Sequence, residues 1–368
     1  MRETAAGERR VALVPDVVKS LVRLGAEVTV ERSAGTASGI SDADFETAGA
    51  RIVDGPAAGL AAGDVVVRVR PPADDDIGRL TRGVTLVSLL DPLAQPARAQ
   101  RLAGAGVDAY ALELVPRTTR AQSMDVLSSQ ANLAGYRAVI EAAHRLPKVF
   151  PMMMTAAGTI PPAKVLILGV GVAGLQAIAT AKRLGAVVRA FDIRPVVKEQ
   201  VESLGAQFVG LVLEEAQSEG GYAKEVSADV HRKEQELIAK FVKDSDVVIT
   251  TAQVPGKRAP LLVTRAMVES MQTGSVIVDL ASDSGGNCEV TENGTEVEHA
   301  GVRVVALPDA ASGAAANASR VFAKNVAALL DLIVREGKVA PALDDDIIQA
   351  VAVTREGRIV HPRLTAAQ

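Results

Sequence analysis

Cysteine is almost absent from this 368-residue chain. Cys288 is the only one, so no intrachain disulfide can form and a reducing compartment is the expected home. It lies among small polar residues with no histidine near it in sequence, the setting of a spectator thiol rather than a nucleophile. Histidine is scarce too: His144, His231, His299 and His361 are scattered without ligand spacing, so no metal site is expected. Tryptophan is missing and aromatics make up 2% of residues, which removes base-stacking surfaces. With 40 Lys and Arg against 44 Asp and Glu, the net charge is −4 and there is no basic block, so a nucleic-acid partner has no electrostatic support. The longest uncharged stretch, 165–181, is interrupted by Gly169, Gly171 and Gly174 and is shorter than the roughly 20 residues of a membrane span. Met1, Arg2, Glu3 and Thr4 lead into polar residues, unlike a secretory signal.

What the chain does have is hydrophobic residues, 48% of the total, arranged as short apolar runs between helical stretches. The most informative order of parts is at 165–192. VLIL at 165–168 reads as a strand, Gly169, Gly171 and Gly174 follow in G-x-G-x-x-G spacing, residues 175–184 have helical period, Gly185 closes the helix, and a second strand at 187–191 ends on Asp192. Each part has a task in gripping a dinucleotide. Gly169 permits the tight turn, Gly171 lets backbone approach a pyrophosphate, and Gly174 lets helix and strand pack closely. The pyrophosphate would lie on the N–H groups that open the helix at Val172, where the dipole favours negative charge. Asp192 stands where a carboxylate, about 20 residues on, accepts hydrogen bonds from a ribose diol and repels a 2′-phosphate. The expected ligand is therefore NAD(H) rather than NADP(H). Arg194, two residues beyond, reads either as a solvated arginine or as a ribose or adenine contact.

A chain of this length exceeds one compact core and predicts two domains. Before the glycine loop, 11–14, 27–30, 65–69 and 84–90 read as strands, with a helix over 17–24 capped by Gly25. Residues 128–146 read as a long helix with Leu133, Tyr136, Val139 and Ile140 on its buried face. A second long helix covers 314–334, with Val321, Phe322, Val326, Leu329, Leu330 and Ile333 as its stripe. The fold class predicted is α/β: two Rossmann-like domains with parallel sheets, the second inserted in the first and linked by two long helices. The boundaries expected are 1–127 plus 312–368 for one domain and 128–311 for the other, with a cofactor's reactive end in the cleft between them. The charged stretch 213–235 carries Gly220, Gly221 and Tyr222. It reads as a solvated loop or as a lid whose Tyr222 closes over nucleotide.

Five segments carry a more specific resemblance. RTTRAQSMDVLSSQANLAGYR at 117–137, FPMMMTAAGTIPP at 150–162, GVGVAGLQAIATAKRLG at 169–185, GGYAKE at 220–225 and GGNC at 285–288 resemble the family of NAD(H)-binding components of proton-translocating nicotinamide nucleotide transhydrogenase. The resemblance runs in order along nearly the whole chain. It implies a two-domain fold shared with alanine dehydrogenase and a Re/Si-specific reaction in which hydride passes directly between NAD(H) here and NADP(H) on a partner subunit. It also implies a homodimer on the cytoplasmic face of the inner membrane, beside a membrane proton-channel subunit. The family's nicotinamide-positioning loop maps onto Arg117, Gln122, Asp125 and Ser128. Its ribose acid maps onto Asp192 and its mobile-loop tyrosine onto Tyr222, and the cofactor-binding residues expected are Gly169, Gly171, Val172, Gly174, Asp192, Ile193, Arg194, Gly221, Tyr222 and Thr251. Family chains usually carry a further short strand before the equivalent of residues 3–10, so the expectation is either that an edge of the first sheet is incomplete here or that the native start lies upstream.

Gln122 and Ser128 can hydrogen-bond a carboxamide or ribose, while Arg117 and Asp125 can form a charge pair that holds the loop. Without the resemblance, the preferred reading of Asp125 with Arg117 is capping of the long helix. Two alternatives differ in what they need. An alanine dehydrogenase requires an acid/base histidine, where this chain has Asp91, and cations for a carboxylate, for which Arg10 with Arg68 or Arg70 are candidates. A non-catalytic NAD-binding module would need Asp192 and the glycines but no oriented loop at 117–128.

Overall fold

The computed structural model describes residues 1–55, 63–210, 228–253 and 257–365. Its chain divides into two compact units, Met1–Gln130 with Ser312–Gln368, and Ala131–Ala311.

The Ala131–Ala311 unit is built on seven strands. Across the sheet they run Gln207–Phe208, Val187–Phe191, Lys164–Leu168, Val247–Thr250, Val276–Asp279, Val302–Ala306 and Glu296–His299. The first six are parallel and the last is antiparallel to its neighbour. This is the doubly wound order of dinucleotide-binding sheets, and its direction reverses between Lys164–Leu168 and Val247–Thr250. Every residue of Val247–Thr250 and Val276–Asp279 is buried, as strands covered on both faces require. Alternate residues feed opposite layers: Val165, Ile167, Val247 and Val278 pack with the Val172–Arg183 helix, and Leu166, Leu168, Val248 and Ile277 pack on the other side. Cys288 belongs to the second layer, where burial pushes its thiol up to about 11. That is a packing role.

In the other unit, Val65–Val67, Thr85–Ser88 and Asp108–Ala111 run parallel, and Ala352–Arg355 with Arg358–Ile359 add an antiparallel edge. Thr29–Glu31 and Arg51–Val53 form a separate parallel pair. The strand expected at 11–14 is not there. Val11, Ala12 and Val14 are buried, but the backbone leading into them is satisfied by side chains. Arg9 N–H donates to Ser312 Oγ (2.8 Å), Arg10 N–H to Glu8 Oε1 (2.9 Å) and Val11 N–H to Ser319 Oγ (2.9 Å). An apolar run reports burial; here side-chain acceptors replace a neighbouring strand, and Val14 leads straight into the helix Pro15–Arg23 with proline in its first turn.

The helix at Val126–Arg145 forms as expected, but with a different buried face. Gly135, Ala138, Val139 and Ala142 are buried, Leu133 and Ile140 are half-buried, and Tyr136 is 43% exposed. Gly135 is the cause. A Cβ there would lie 2.1 Å from the carbonyl oxygen of Ala173, so the two helices approach too closely for anything but small residues at the contact. The Ala315–Ile333 helix buries Phe322, Val326, Leu329, Leu330 and Ile333 as its pattern predicts, with Val321 half-buried.

Candidate functional site

Gly169, Gly171 and Gly174 lie at the C-terminal end of Lys164–Leu168, beside the point where strand order reverses. Gly169 has φ of +94°, and a Cβ on it would meet Thr251 Oγ1 at 2.9 Å. A Cβ on Gly174 would lie 2.0 Å from the Gly169 carbonyl oxygen, so only glycine lets the helix start this close to the strand end. Gly171 differs: among the described residues a Cβ there would meet no atom within 4 Å. It is the N-cap of Val172–Arg183 and contributes no capping side chain to the first-turn N–H groups. These features fit a dinucleotide's diphosphate.

The glycine loop is tied to its surroundings on two sides. Val170 N–H donates to Asp192 Oδ2 at 2.7 Å, joining the loop to the end of Val187–Phe191. Thr251 Oγ1 donates to the Gly169 carbonyl at 2.8 Å, joining it to the end of Val247–Thr250. Asp192 also accepts from the Arg194 backbone (2.9 Å), Nε (2.9 Å) and Nη2 (2.7 Å). The arginine is therefore folded back on the acid rather than solvated, and these hydrogen bonds hold its guanidinium above its ordinary pKa. Ile193, between them, is half-buried against the sheet's second layer. Gly221 and Tyr222 lie outside the described residues.

Residues the sequence reading passed over brace this site. Asp279, fully buried, accepts from Thr250 Oγ1 (2.9 Å), Ala281 N–H (2.9 Å), Asn287 N–H (2.8 Å) and Thr291 Oγ1 (2.8 Å). Asn287 in turn holds the backbone of Ala252, the neighbour of Thr251. An acid at the end of a buried strand followed by a glycine pair was the only local signal for this network.

Arg117, Gln122, Asp125 and Ser128 all belong to the other unit. Ala121 and Met124 sink into its core beside Phe322 and Val326, which leaves Arg117 and Gln122 exposed on a pinned backbone. Asp125 immediately precedes the Val126–Arg145 helix and accepts from Ser128 N–H (2.8 Å) and Ser128 Oγ (2.5 Å), the capping arrangement. Asn325 accepts from Ser129 Oγ (2.7 Å) and donates to the Ser123 carbonyl (2.7 Å). Arg120 grips Asp345 with two bonds of 2.7 and 2.9 Å and also reaches Asp346; hydrogen bonding to the arginine pulls the Asp345 carboxyl down to about 2.

The arginines that could receive a substrate carboxylate are engaged within the protein. Arg10, 2% exposed, donates to both Glu8 oxygens (2.8 and 2.6 Å) and to Gln130 (2.8 Å), and Arg70 also binds Glu8 (2.9 Å). Arg68 lies 3.6 Å from Glu3. Asp91 has φ of +49° and its N–H donates to Glu113. Among the described residues no group of three His, Cys, Asp or Glu side chains is placed to hold a metal, and no helix is long and apolar enough to cross a membrane.

Comparison with known proteins agrees with this architecture. The family models for the N-terminal and C-terminal domains of alanine dehydrogenase/PNT match residues 1–134 and 138–362. The chain is 48% identical over 374 residues to an NAD(P) transhydrogenase subunit alpha polypeptide of Rhodospirillum rubrum, covering 99% of this chain and 97% of that one. A solved transhydrogenase structure from Sinorhizobium meliloti superposes with a TM-score of 0.86 at 45% identity, covering 98% of both chains. An L-alanine dehydrogenase structure gives 0.83 at 27% identity, covering 99% of this chain and 97% of that one. The chain belongs to the alanine dehydrogenase/PNT family, on the side of the transhydrogenase alpha subunits.

Proposed function

We propose that this chain binds NAD(H) and exchanges hydride directly with NADP(H) held by a partner subunit, as the NAD(H)-binding component of a proton-translocating transhydrogenase. The observation that carries the reading is the 117–128 segment: Arg117 and Gln122 are presented to solvent from a backbone fixed by Ala121, Met124 and Asn325. A module that only bound nucleotide would need no such segment.

Bound NADH would supply the hydride from its nicotinamide ring. Hydride transfer moves a hydrogen with its electron pair from carbon to carbon, so this chain has to supply orientation and exclusion of water rather than an acid or base. Ser128 donates its hydroxyl proton to Asp125, which leaves its oxygen lone pairs for an incoming carboxamide N–H. Gln122 can offer both a donor and an acceptor to the same group. In the other unit, Gly171 and the helix start at Val172 would receive the diphosphate, and Asp192 the adenosine ribose.

The alanine dehydrogenase alternative is disfavoured because Glu8 engages Arg10 and Arg70, and Asp91 stands where the acid/base histidine is needed. A homodimer is supported by the hairpin Met153–Thr155 with Gly158–Ile160. It exposes Met152, Met153, Met154 and Ile160 in one short segment, an apolar surface that a second copy would cover. Proton movement and a place on the cytoplasmic face of the membrane would come through the channel subunit.

The test is reconstitution of the purified chain with an NADP-loaded partner, following hydride exchange, with alanine plus NAD as the control. Exchange without NADH formation from alanine is the expected result. NADH formation from alanine, or no exchange by protein that binds NADH, would overturn the proposal.

A further inference from the structure

The cofactor reading gives Asp192 the adenosine ribose, yet its carboxylate is already fully used. Oδ1 accepts from the backbone N–H of Arg194 (2.9 Å) and from Arg194 Nε (2.9 Å). Oδ2 accepts from the backbone N–H of Val170 (2.7 Å) and from Arg194 Nη2 (2.7 Å). A carboxylate offers about four lone-pair positions, and four donors point at this one. Side-chain exposures of 6% for Asp192 and 13% for Arg194 show that water takes little part.

The four donors are not equivalent. Val170 N–H belongs to the glycine loop and Arg194 N–H to the strand end, so neither can leave without disturbing the fold. The Nε and Nη2 pair sits on a rotatable side chain. Its two parallel N–H groups engage the carboxylate as a fork, one to each oxygen, which is also how the two hydroxyls of a ribose diol engage one.

We infer that the Arg194 side chain occupies the ribose positions of Asp192 and has to swing away when the cofactor binds, acting as a tethered competitor that weakens the grip on NAD(H). The inference rests on the NAD(H) reading above. On binding, the carboxylate would exchange two strong donors for two others, so the ribose adds little net affinity. A component that has to release its nicotinamide nucleotide after each transfer gains turnover from such an exchange.

The sign of one measurement decides it. NADH, ADP and 2′-deoxy-ADP are titrated calorimetrically into the wild-type chain, Arg194→Ala and Arg194→Lys at physiological salt, with circular dichroism as the check on folding. Removing the fork should tighten NADH and ADP by about tenfold, the size of one hydrogen bond to a charged group. 2′-Deoxy-ADP, lacking one of the two replacing hydroxyls, should gain less. Arg194→Lys, which keeps the charge without the fork, should fall between wild type and Arg194→Ala. ADP binding that is unchanged or weaker in folded Arg194→Ala would make the arginine a bystander or a cofactor contact and overturn the inference. A wild-type chain that takes up no NADH would instead overturn the cofactor reading.

Discussion

The carboxamide of Asn287 brackets the backbone of Ala252: Oδ1 accepts from the Ala252 N–H at 3.0 Å and Nδ2 donates to its carbonyl at 2.9 Å. Nδ2 also donates to the Pro260 carbonyl at 2.7 Å. Since Thr251 next door is bonded to Gly169, this side chain fixes the floor of the glycine loop from the far side of the sheet's switch point. Asn287→Ala would leave these backbone groups without partners, at a cost of about 2–4 kcal/mol. Thermal unfolding should shift down and NADH binding should weaken, and Asn287→Asp should not rescue either, because a buried carboxylate oxygen would then face the Ala252 and Pro260 carbonyls in place of the donor. A variant with wild-type Tm and wild-type NADH affinity would remove this bracing role.

Gly171 and Gly174 should respond to the same substitution in different ways. In Gly174→Ala the new methyl meets the Gly169 carbonyl at 2.0 Å, and backbone has to move, so both stability and NADH affinity should fall, stability by about 1–3 kcal/mol. In Gly171→Ala the methyl meets no atom of the described residues. Tm should move by about 1–2 °C at most, while NADH weakens by about tenfold or more because the methyl would stand where the proposed function seats the diphosphate. Equal behaviour of the two variants would contradict the separate duties assigned to them.

Gln122 should affect transfer rather than binding. Its backbone is fixed by buried Ala121 and Met124, so Gln122→Asn withdraws the amide by about one methylene without loosening the segment. Hydride exchange with an NADP-loaded partner should slow by about ten- to a hundredfold, with NADH affinity nearly unchanged. Parallel loss of affinity and rate would mean that the residue only holds the cofactor.

Glu113 gives a pH signature. Burial pushes its carboxyl from an ordinary 4.5 up to about 7, only partly offset by the N–H groups of Leu90 and Asp91 that it accepts. The folded state thus binds the proton more tightly than the unfolded chain. The group's stabilising contribution is complete below about 4.5 and is lost as pH rises through about 7. Melting wild type and Glu113→Gln side by side from pH 5 to 8 should show the wild type losing ground steadily as the carboxyl ionises. A constant gap in Tm across that range would show that the carboxyl does not titrate there.

Much of the nucleotide-binding unit was legible because its determinants are local. The strand at 164–168, the glycines, the helix and the strand ending on Asp192 lie within about thirty residues, and each is set by side-chain period or by a backbone conformation only glycine tolerates. The 117–128 segment was legible as a family signature, and its capping acid through helix-start chemistry. What pins that segment was not: Asn325, Asp345 and the Phe322 layer lie some two hundred residues away in sequence.

The sequence by itself therefore determined the α/β class, the position of the glycine loop and the acid that follows it, since backbone sterics and hydrophobic period act between near neighbours. Tertiary structure alone decided that residues 11–14 are buried without joining a sheet, and that Gly135 rather than Tyr136 faces its neighbouring helix. It also decided that Glu8 engages Arg10 and that Arg194 closes over Asp192. Each is a choice among several chemically adequate partners, and burial makes that choice because a polar group removed from water has to take whichever partner the packing brings within reach.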